Sequence, residues 1–514
     1  CSHPQYRMDV KMKHKTALLT MVCTLCMTAT MASPRDTARV EHLSMWNQLS
    51  TPLLTNPALH SAAYAQSYSE MALTIDFQHQ SEAFVEEKGK GHLLGALAVN
   101  SYLRMNPRSA VWGSASYTTG KQKSICWNST SDYELLAPYV MADTLGGDTH
   151  RERYTFSGGY GTQLGRVLLG GEMAIRAEHE YRDRDPRMRG IVTELLLRGG
   201  AGLTAWHYRW GVLAEGTIYK QTNSVDFYNE LGVIPEYHMT GLGTEYGRFA
   251  GEQRSLAYRG GSFDIAFDAV PTGNEGLYGH VSLGRNAYER LLTSANSLPL
   301  SRLIYNKVET TMGWKHEGKH HWAAYAHFAF TKRSGDEKLI GKSDSQYYPV
   351  IGKLTMYKDY LMDASIGGMY GQQGGDHSWM VSLKAGYRNH RERYVYPERL
   401  LDRAHAYVKV AGEWMRPMSR RLSLSLGADA SHYARVSDNM VMPFANMTSK
   451  FAEMIRHKYR FVKASYTEAH LHARGDYHLK SSSIGLFAEV AGGMVLCSER
   501  EQQVGLRASV GVTF

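Results

Sequence analysis

From about residue 68 onward, apolar residues occupy every second position in stretch after stretch of the chain. Val167, Leu169, Gly171, Met173 and Ile175 alternate with Arg166, Leu168, Gly170, Glu172, Ala174 and Arg176. Leu422, Leu424, Leu426, Ala428 and Ala430 alternate with Arg421, Ser423, Ser425, Gly427 and Asp429, and Val504 to Phe514 repeats the pattern. A period of two sends successive side chains to opposite faces of a β-strand. One face is apolar; the other carries charge, Ser, Thr and Gly, with Leu168 its one large apolar exception. A single stretch of this kind suits any half-buried antiparallel sheet. Its repetition predicts strands near 68–80, 91–104, 109–119, 150–161, 165–181, 189–203, 207–221, 254–270, 275–288, 301–316, 319–332, 356–373, 376–392, 402–416, 419–434, 459–477, 481–497 and 502–514. Many are longer than the roughly five or six residues usual in soluble sheets. About 9–11 tilted residues cross the apolar layer of a bilayer.

The connections sort by parity. Short gaps at 106–108, 162–164, 204–206, 271–274, 317–318, 374–375 and 417–418 alternate with longer ones at 81–90, 120–149, 182–188, 222–253, 289–300, 333–355, 393–401 and 435–458. Only 498–501 breaks the rule. Outer-membrane barrels have short periplasmic turns and long outer loops in this alternation, whereas stacked soluble sheets have no reason for it. The spacing therefore predicts an all-β fold, a transmembrane up-and-down antiparallel β-barrel over 68–514. About 18 strands are expected, with 16–18 admissible, and an even number leaves both chain ends periplasmic. The last strand, ending at Phe514, is similar to the signal read by barrel-insertion machinery. Tyr208, Trp210, Trp314, Trp322, Tyr387 and Trp414, near strand ends, fit interfacial girdles against outer-membrane lipid.

Composition fits a barrel better than a multidomain enzyme. In 514 residues there are 33 Tyr against 14 Phe and 9 Trp, with 49 Gly and 14 Pro. Arg7, Lys11, Lys13 and Lys15 precede the apolar run Ala17–Met31, and Thr30-Met31-Ala32 resembles a cleavage site. Residues 1–32 thus read as a signal peptide, with Met8 or Met12 the expected start. The formal net charge of +9 falls further once this basic segment is removed, too mild to argue for nucleic acid. Outside that segment only Cys126 and Cys497 remain. Two cysteines form at most one bridge and no closed zinc site.

If the apolar face meets lipid, the other lines a lumen. Arg166, Glu172, Arg176, Glu194, Arg198, Arg209, Glu215, Lys384, Arg388, Lys409, Glu413 and Arg507 fall on that face. Both signs recur on neighbouring strands, which suits ion-pair ladders along a wet wall better than a filter of one sign. Residues 33–67 form a periplasmic or plug-like segment, with a helix-like stretch Thr37–Leu49 that spaces Val40, Leu43, Trp46 and Leu49 three apart. Loops 120–149 and 222–253 hold more apolar residues than solvent favours. They are expected to fold over the mouth, dip into the lumen or meet a partner.

Those loops also carry a resemblance. The stretches around Trp127, Asp132 and Tyr133, around Pro138, Tyr139 and Val140, around Tyr181 and Asp185, around Asp226, Phe227 and Tyr228, and around Tyr237 and His238 resemble an uncharacterised family of Bacteroidota outer-membrane β-barrel proteins. The resemblance implies location and fold and carries over no catalytic residue. Enzyme signals are weak. Gly335 to Ser343 has one residue too many for a phosphate-binding loop. His470 and His472 share a strand face but lack an identifiable third metal ligand. Nothing in the spacing selects Asp226 with His238 as hydrolase partners. The expectation is a non-enzymatic barrel without a cofactor, acting as a channel or as the membrane part of an uptake or export assembly. A plugged barrel whose outer loops act as a receptor or docking surface is the alternative, and a surface hydrolase is a remoter one.

Overall fold

The computed structural model describes residues 34–514 apart from 49, 51–53, 250–254, 274, 344–347, 374–376 and 481–483. The expected signal peptide and Leu49 lie outside the described residues. Eighteen long strands follow in chain order: β1 (Tyr68–Gln80), β2 (Gly91–Asn106), β3 (Ser109–Ile125), β4 (Gly147–Leu164), β5 (Val167–Tyr181), β6 (Arg187–Ala205), β7 (Tyr208–Asp226), β8 (Ser255–Pro271), β9 (Gly276–Leu292), β10 (Leu298–His316), β11 (His321–Ile340), β12 (Val350–Gln373), β13 (Ser378–Tyr394), β14 (Arg399–Pro417), β15 (Leu422–Val441), β16 (Tyr466–His478), β17 (Gly485–Cys497) and β18 (Gln502–Thr513). Each pairs antiparallel with the next, and β1 pairs with β18 from Glu70↔Thr513 to Gln80↔Gln503. The sheet is closed, so no strand edge is left open.

The alternation settles which face is which. Ile75, Met173, Phe263, Leu283, Ile366 and Leu471 point outward and are exposed in the isolated chain. An apolar surface running round a whole barrel far exceeds the few hundred Å² tolerated on a soluble protein, and lipid is its natural cover. Leu168, the exception on the polar face, is fully buried inside. Near the end of the barrel where the turns are short, Trp322 lies opposite Tyr370 and Trp379 opposite Trp414, part of an aromatic girdle. No helix among the described residues is long and apolar enough to cross a membrane.

Two expectations about the connections change. Strands extend well past the apolar band at the loop end: β3 reaches Ile125, β7 reaches Asp226, β11 reaches Ile340 and β15 reaches Val441. Alternation fades where a strand leaves the lipid, but the backbone ladder continues, so much of each expected loop is strand. The region 459–465 is not strand. A helix runs from Lys450 to Val462, capped by the Ser449 side chain accepting from Ala452 N at 3.3 Å. Its Ala452, Met454, Ile455 and Tyr459 are buried at helical spacing.

Candidate functional site

At the loop end the interior is filled by chain. Residues 126–146 leave β3 and descend into the barrel through a short helix, Tyr133–Leu136, before rising to β4. Met141 and Ala142 pair with His238 and Tyr237 of a hairpin (Tyr237–Gly241 with Thr244–Glu245) from the loop after β7. The helix 450–462 packs beside them. Trp127, Leu136, Tyr139, Met141, Met239, Leu242, Met454 and Ile455 join one apolar cluster with the wall residues Tyr219, Tyr258, Tyr288, Tyr305, Tyr357 and Tyr394. The cap and the wall thus share a single core.

The inward tyrosines account for part of the Tyr excess. Each buries an aromatic ring and still offers a hydroxyl, which a descending loop needs because its backbone polar groups leave water. Tyr258 donates to Tyr139 O at 3.0 Å, and Tyr305 donates to Leu135 O. Amide and guanidinium groups do the same: Gln221 to Ser131 O (2.9 Å), Asn223 to Ser129 O (3.0 Å), Arg290 to Met239 O (2.8 Å), and Arg333 to Ala137 O. Asp132 is the loop's charged anchor. Its oxygens accept from Arg176 Nη1 and Nη2 at 2.9 and 2.7 Å, and from Tyr219 at 3.0 Å.

A second polar joint ties the cap together. Tyr133 donates to Glu87 Oε1 at 2.8 Å, and Lys458 Nζ lies 3.3 Å from that oxygen. Burial pushes the Tyr133 phenol well up, and Glu87 adds to the effect. Burial pulls Lys458 the other way, but Glu87 and Tyr133 outweigh it and hold the ammonium charged.

The other end is occupied by the N-terminal segment, through helices Pro34–Leu43, Met45–Gln48 and Pro57–His60. Arg39 pairs with Asp476 at 2.6 Å, Met45 N donates to Glu413 at 2.8 Å, and Trp46 Nε1 donates to Glu317 at 3.1 Å. Trp46 is 1% exposed. Farther along, Asn56 Nδ2 donates to Asp268 at 3.0 Å. The helix 57–60 rests on a ledge of glycines, where Gly161, Gly170 and Gly200 face one another across β4, β5 and β6. A Cβ on Gly170 would lie 2.4 Å from the Pro57 carbonyl. The described residues of this segment are therefore seated in the mouth of the barrel.

Most of the expected lumen residues line the wall as ion pairs. Arg198 bridges Glu172 (2.9 Å) and Glu215 (2.5 Å), and Arg176 also reaches Glu194 (3.1 Å). Arg388 meets Asp363 (2.8 Å), Lys409 meets Asp429 (3.4 Å), and Arg507 meets Asp76 (2.7 Å). Arg209 donates to Ala62 O at 3.5 Å. Lys384 lies opposite Lys409, with its Nζ 5.9 Å from the Tyr407 ring. Arg166 is not on the wall. It sits exposed in the two-residue turn between β4 and β5, because the strand ends before it.

The loop candidates divide. Trp127, Asp132, Tyr133, Tyr139 and Tyr237 help build the cap, and Phe227 packs partly against its core. Asp185 accepts from the backbone N of Tyr228 and Asn229, both at 2.9 Å. Tyr228 and Leu231 are exposed at 83% and 99%, so the tip of the second loop turns outward. Asp226 ends β7 in the open, whereas His238 is fully buried within the cap. Cys126 and Cys497 are free thiols. Tyr258, Tyr305, Arg290, Arg333, Glu392, Arg403 and Lys458 were not singled out from the sequence. For the wall residues the one signal was a Tyr or charge on the polar face near the loop end; Lys458, on the helix 450–462, had none.

Together these features define an integral β-barrel whose interior is filled from both mouths. The chain belongs to the DUF6850 family, a family of unknown function whose model matches residues 57–514. No curated protein matches it. Among solved structures it is similar to BauA, the ferric preacinetobactin receptor from Acinetobacter baumannii, at 8% identity over 87% of this chain and 80% of that one, TM-score 0.40. The ferric enterobactin receptor PfeA matches at 8% identity over 88% and 82%, TM-score 0.38. TodX, a monoaromatic hydrocarbon channel in its deltaS2S3 mutant form, matches at 10% identity over 90% and 93%, TM-score 0.32. Nothing about solute or partner passes to this chain at such values.

Proposed function

We propose that this chain is a capped barrel of a Gram-negative outer membrane. Its ordered outer loops act as a receptor or docking surface, and passage through its lumen requires the cap to move. The expected placement is both ends periplasmic and loops outward. A signal peptide over 1–32 would deliver the chain, and its last strand would be handed to the insertion machinery. The loop motifs make Bacteroidota the expected group. Of the two roles a filled barrel can take, passive channel or receptor, one observation favours the second. Residues 126–146 share a continuous core with the wall and have their carbonyls bonded by it. A loop fluttering at a pore mouth has no use for such a seat. The test is conductance in planar bilayers. The unaltered chain should be silent. A chain lacking 34–66, with 128–142 replaced by a short glycine linker, should conduct steadily. Open-channel currents from the unaltered chain would overturn the reading.

A further inference from the structure

Between the cap and the wall of β11–β14 lies a cavity of 470 Å³, within the range of about 300–1,000 Å³ usual for small-molecule sites. Its floor is one polar chain across four adjacent strands. Arg333 Nη1 donates to Asp359 Oδ2 at 3.1 Å, and His390 Nε2 lies 2.7 Å from Asp359 Oδ1. Arg403 Nη2 then contacts both His390 Nδ1 and Glu392 Oε1. The roof comes from three separate cap segments, through Glu87, Tyr133 and Lys458, and Met239, Leu242 and Ile455 supply apolar surface.

Three polar atoms of this lining are buried without a hydrogen-bond partner among the described residues: Glu87 Oε2, Arg333 Nε and Arg403 Nη1. Glu87 is 5% exposed and Arg403 8%. Buried polar atoms almost always find a partner, so three orphans around one cavity mark the complement of a ligand. Two are guanidinium N–H donors, which call for an anionic oxygen. The third is the second oxygen of the Glu87 carboxylate, whose first is held by Tyr133 and Lys458, and it calls for a further donor. Apolar surface lies between them. Phosphate answers only the arginines, and a neutral sugar leaves the apolar lining unmatched.

We propose that this cavity binds a short zwitterionic peptide, a di- or tripeptide, with its carboxylate on the Arg333–Arg403 floor and its ammonium on Glu87. The site rests on the capped-receptor reading, because most of its lining is the cap. A peptide held there is gripped by cap and wall together, and its arrival is sensed by the elements that close the lumen.

Calorimetric titration of the full chain in detergent micelles tests this, with Ala-Leu-Ala as the probe. Its N-acetylated and C-amidated forms, maltose and inorganic phosphate are the comparisons. Ala-Leu-Ala should bind saturably, and blocking either end should weaken it by about tenfold or more. Glu87→Gln should weaken the free peptide by about as much while leaving the acetylated one unchanged, and Ile455→Trp, which fills the cavity from the cap helix, should abolish binding. No heat from Ala-Leu-Ala up to about 10 mM overturns the proposal. So does equal binding of the blocked peptides, preference for maltose or phosphate, or indifference to both variants in folded protein. If a variant fails to fold, the blocked peptides on the unaltered chain still decide. Titration tests the cavity and conductance tests the cap, so each can fail alone.

Discussion

Asp132 ties the descending loop to the wall. It is the only acidic residue of the descending loop that meets the wall arginine Arg176, and Tyr219 adds a third bond. Removing one partner of a buried ion pair costs about 3–5 kcal/mol. Arg176 keeps Glu178 and Glu194, so Asp132→Asn should cost less, about 2 kcal/mol. That raises the population with an open cap roughly 30-fold. Chymotrypsin cleavage between Tyr133 and Tyr139 should speed up accordingly, and unchanged cleavage would remove Asp132 from this role. Both residues were visible in the sequence, Arg176 as a wall charge and Asp132 in a loop motif. Their pairing was not, since a period of two assigns a face to a wall residue and says nothing of which loop comes down to it.

At the scale of elements, strands were the legible part, because lipid on one side and polar lumen on the other impose the alternation residue by residue. Legibility ended where lipid ended. The outer parts of β3, β7, β11 and β15 are strand by hydrogen bonding alone, and most of the helix 450–462 falls in the expected loop 435–458, with only 459–462 read at a period of two. The N-terminal seat was half legible: the helix-like spacing around Trp46 was, but the glycine ledge was not, because glycines on separate strands show no pattern along the chain. Gly170→Ala tests that ledge. Its Cβ would meet the Pro57 backbone, so the helix 57–60 must shift, and a spin label at Ala65, with Cys126 and Cys497 replaced by serine, should become more mobile. Acid should loosen the same seat. His60 lies 4.5 Å from the Trp112 ring and 5.5 Å from that of Tyr102. Burial, then His42 and Arg198, lowers its pKa to about 4. A released His60 takes up a proton near pH 6.5 and the seated one only near 4, so seating weakens as pH falls through that window, by about 2 kcal/mol at pH 5. The label should loosen between pH 6.5 and 4, and His60→Gln should flatten the response. A pH-independent label would contradict it.

Taken whole, the molecule is a closed sheet of 18 strands with its apolar half facing lipid and its polar half facing inward. What separates it from an open pore is the chain inside: a segment seated on glycines at one mouth and a cap sharing the core of the wall at the other. The wall charges pair with one another rather than forming a ring of one sign, so selectivity, where passage occurs, rests with the cap. The most direct measurement is hydrogen exchange on the detergent-solubilised chain, followed over the peptide 128–142. With the loop buried in the lumen, its carbonyls held by the wall and amides such as those of Ser129, Leu135, Leu136 and Met141 bonded within the loop, these amides should exchange as slowly as those of the flanking strands, by orders of magnitude slower than the exposed loop tip at 228–233. Exchange of 128–142 as fast as that tip would contradict a cap seated in the lumen.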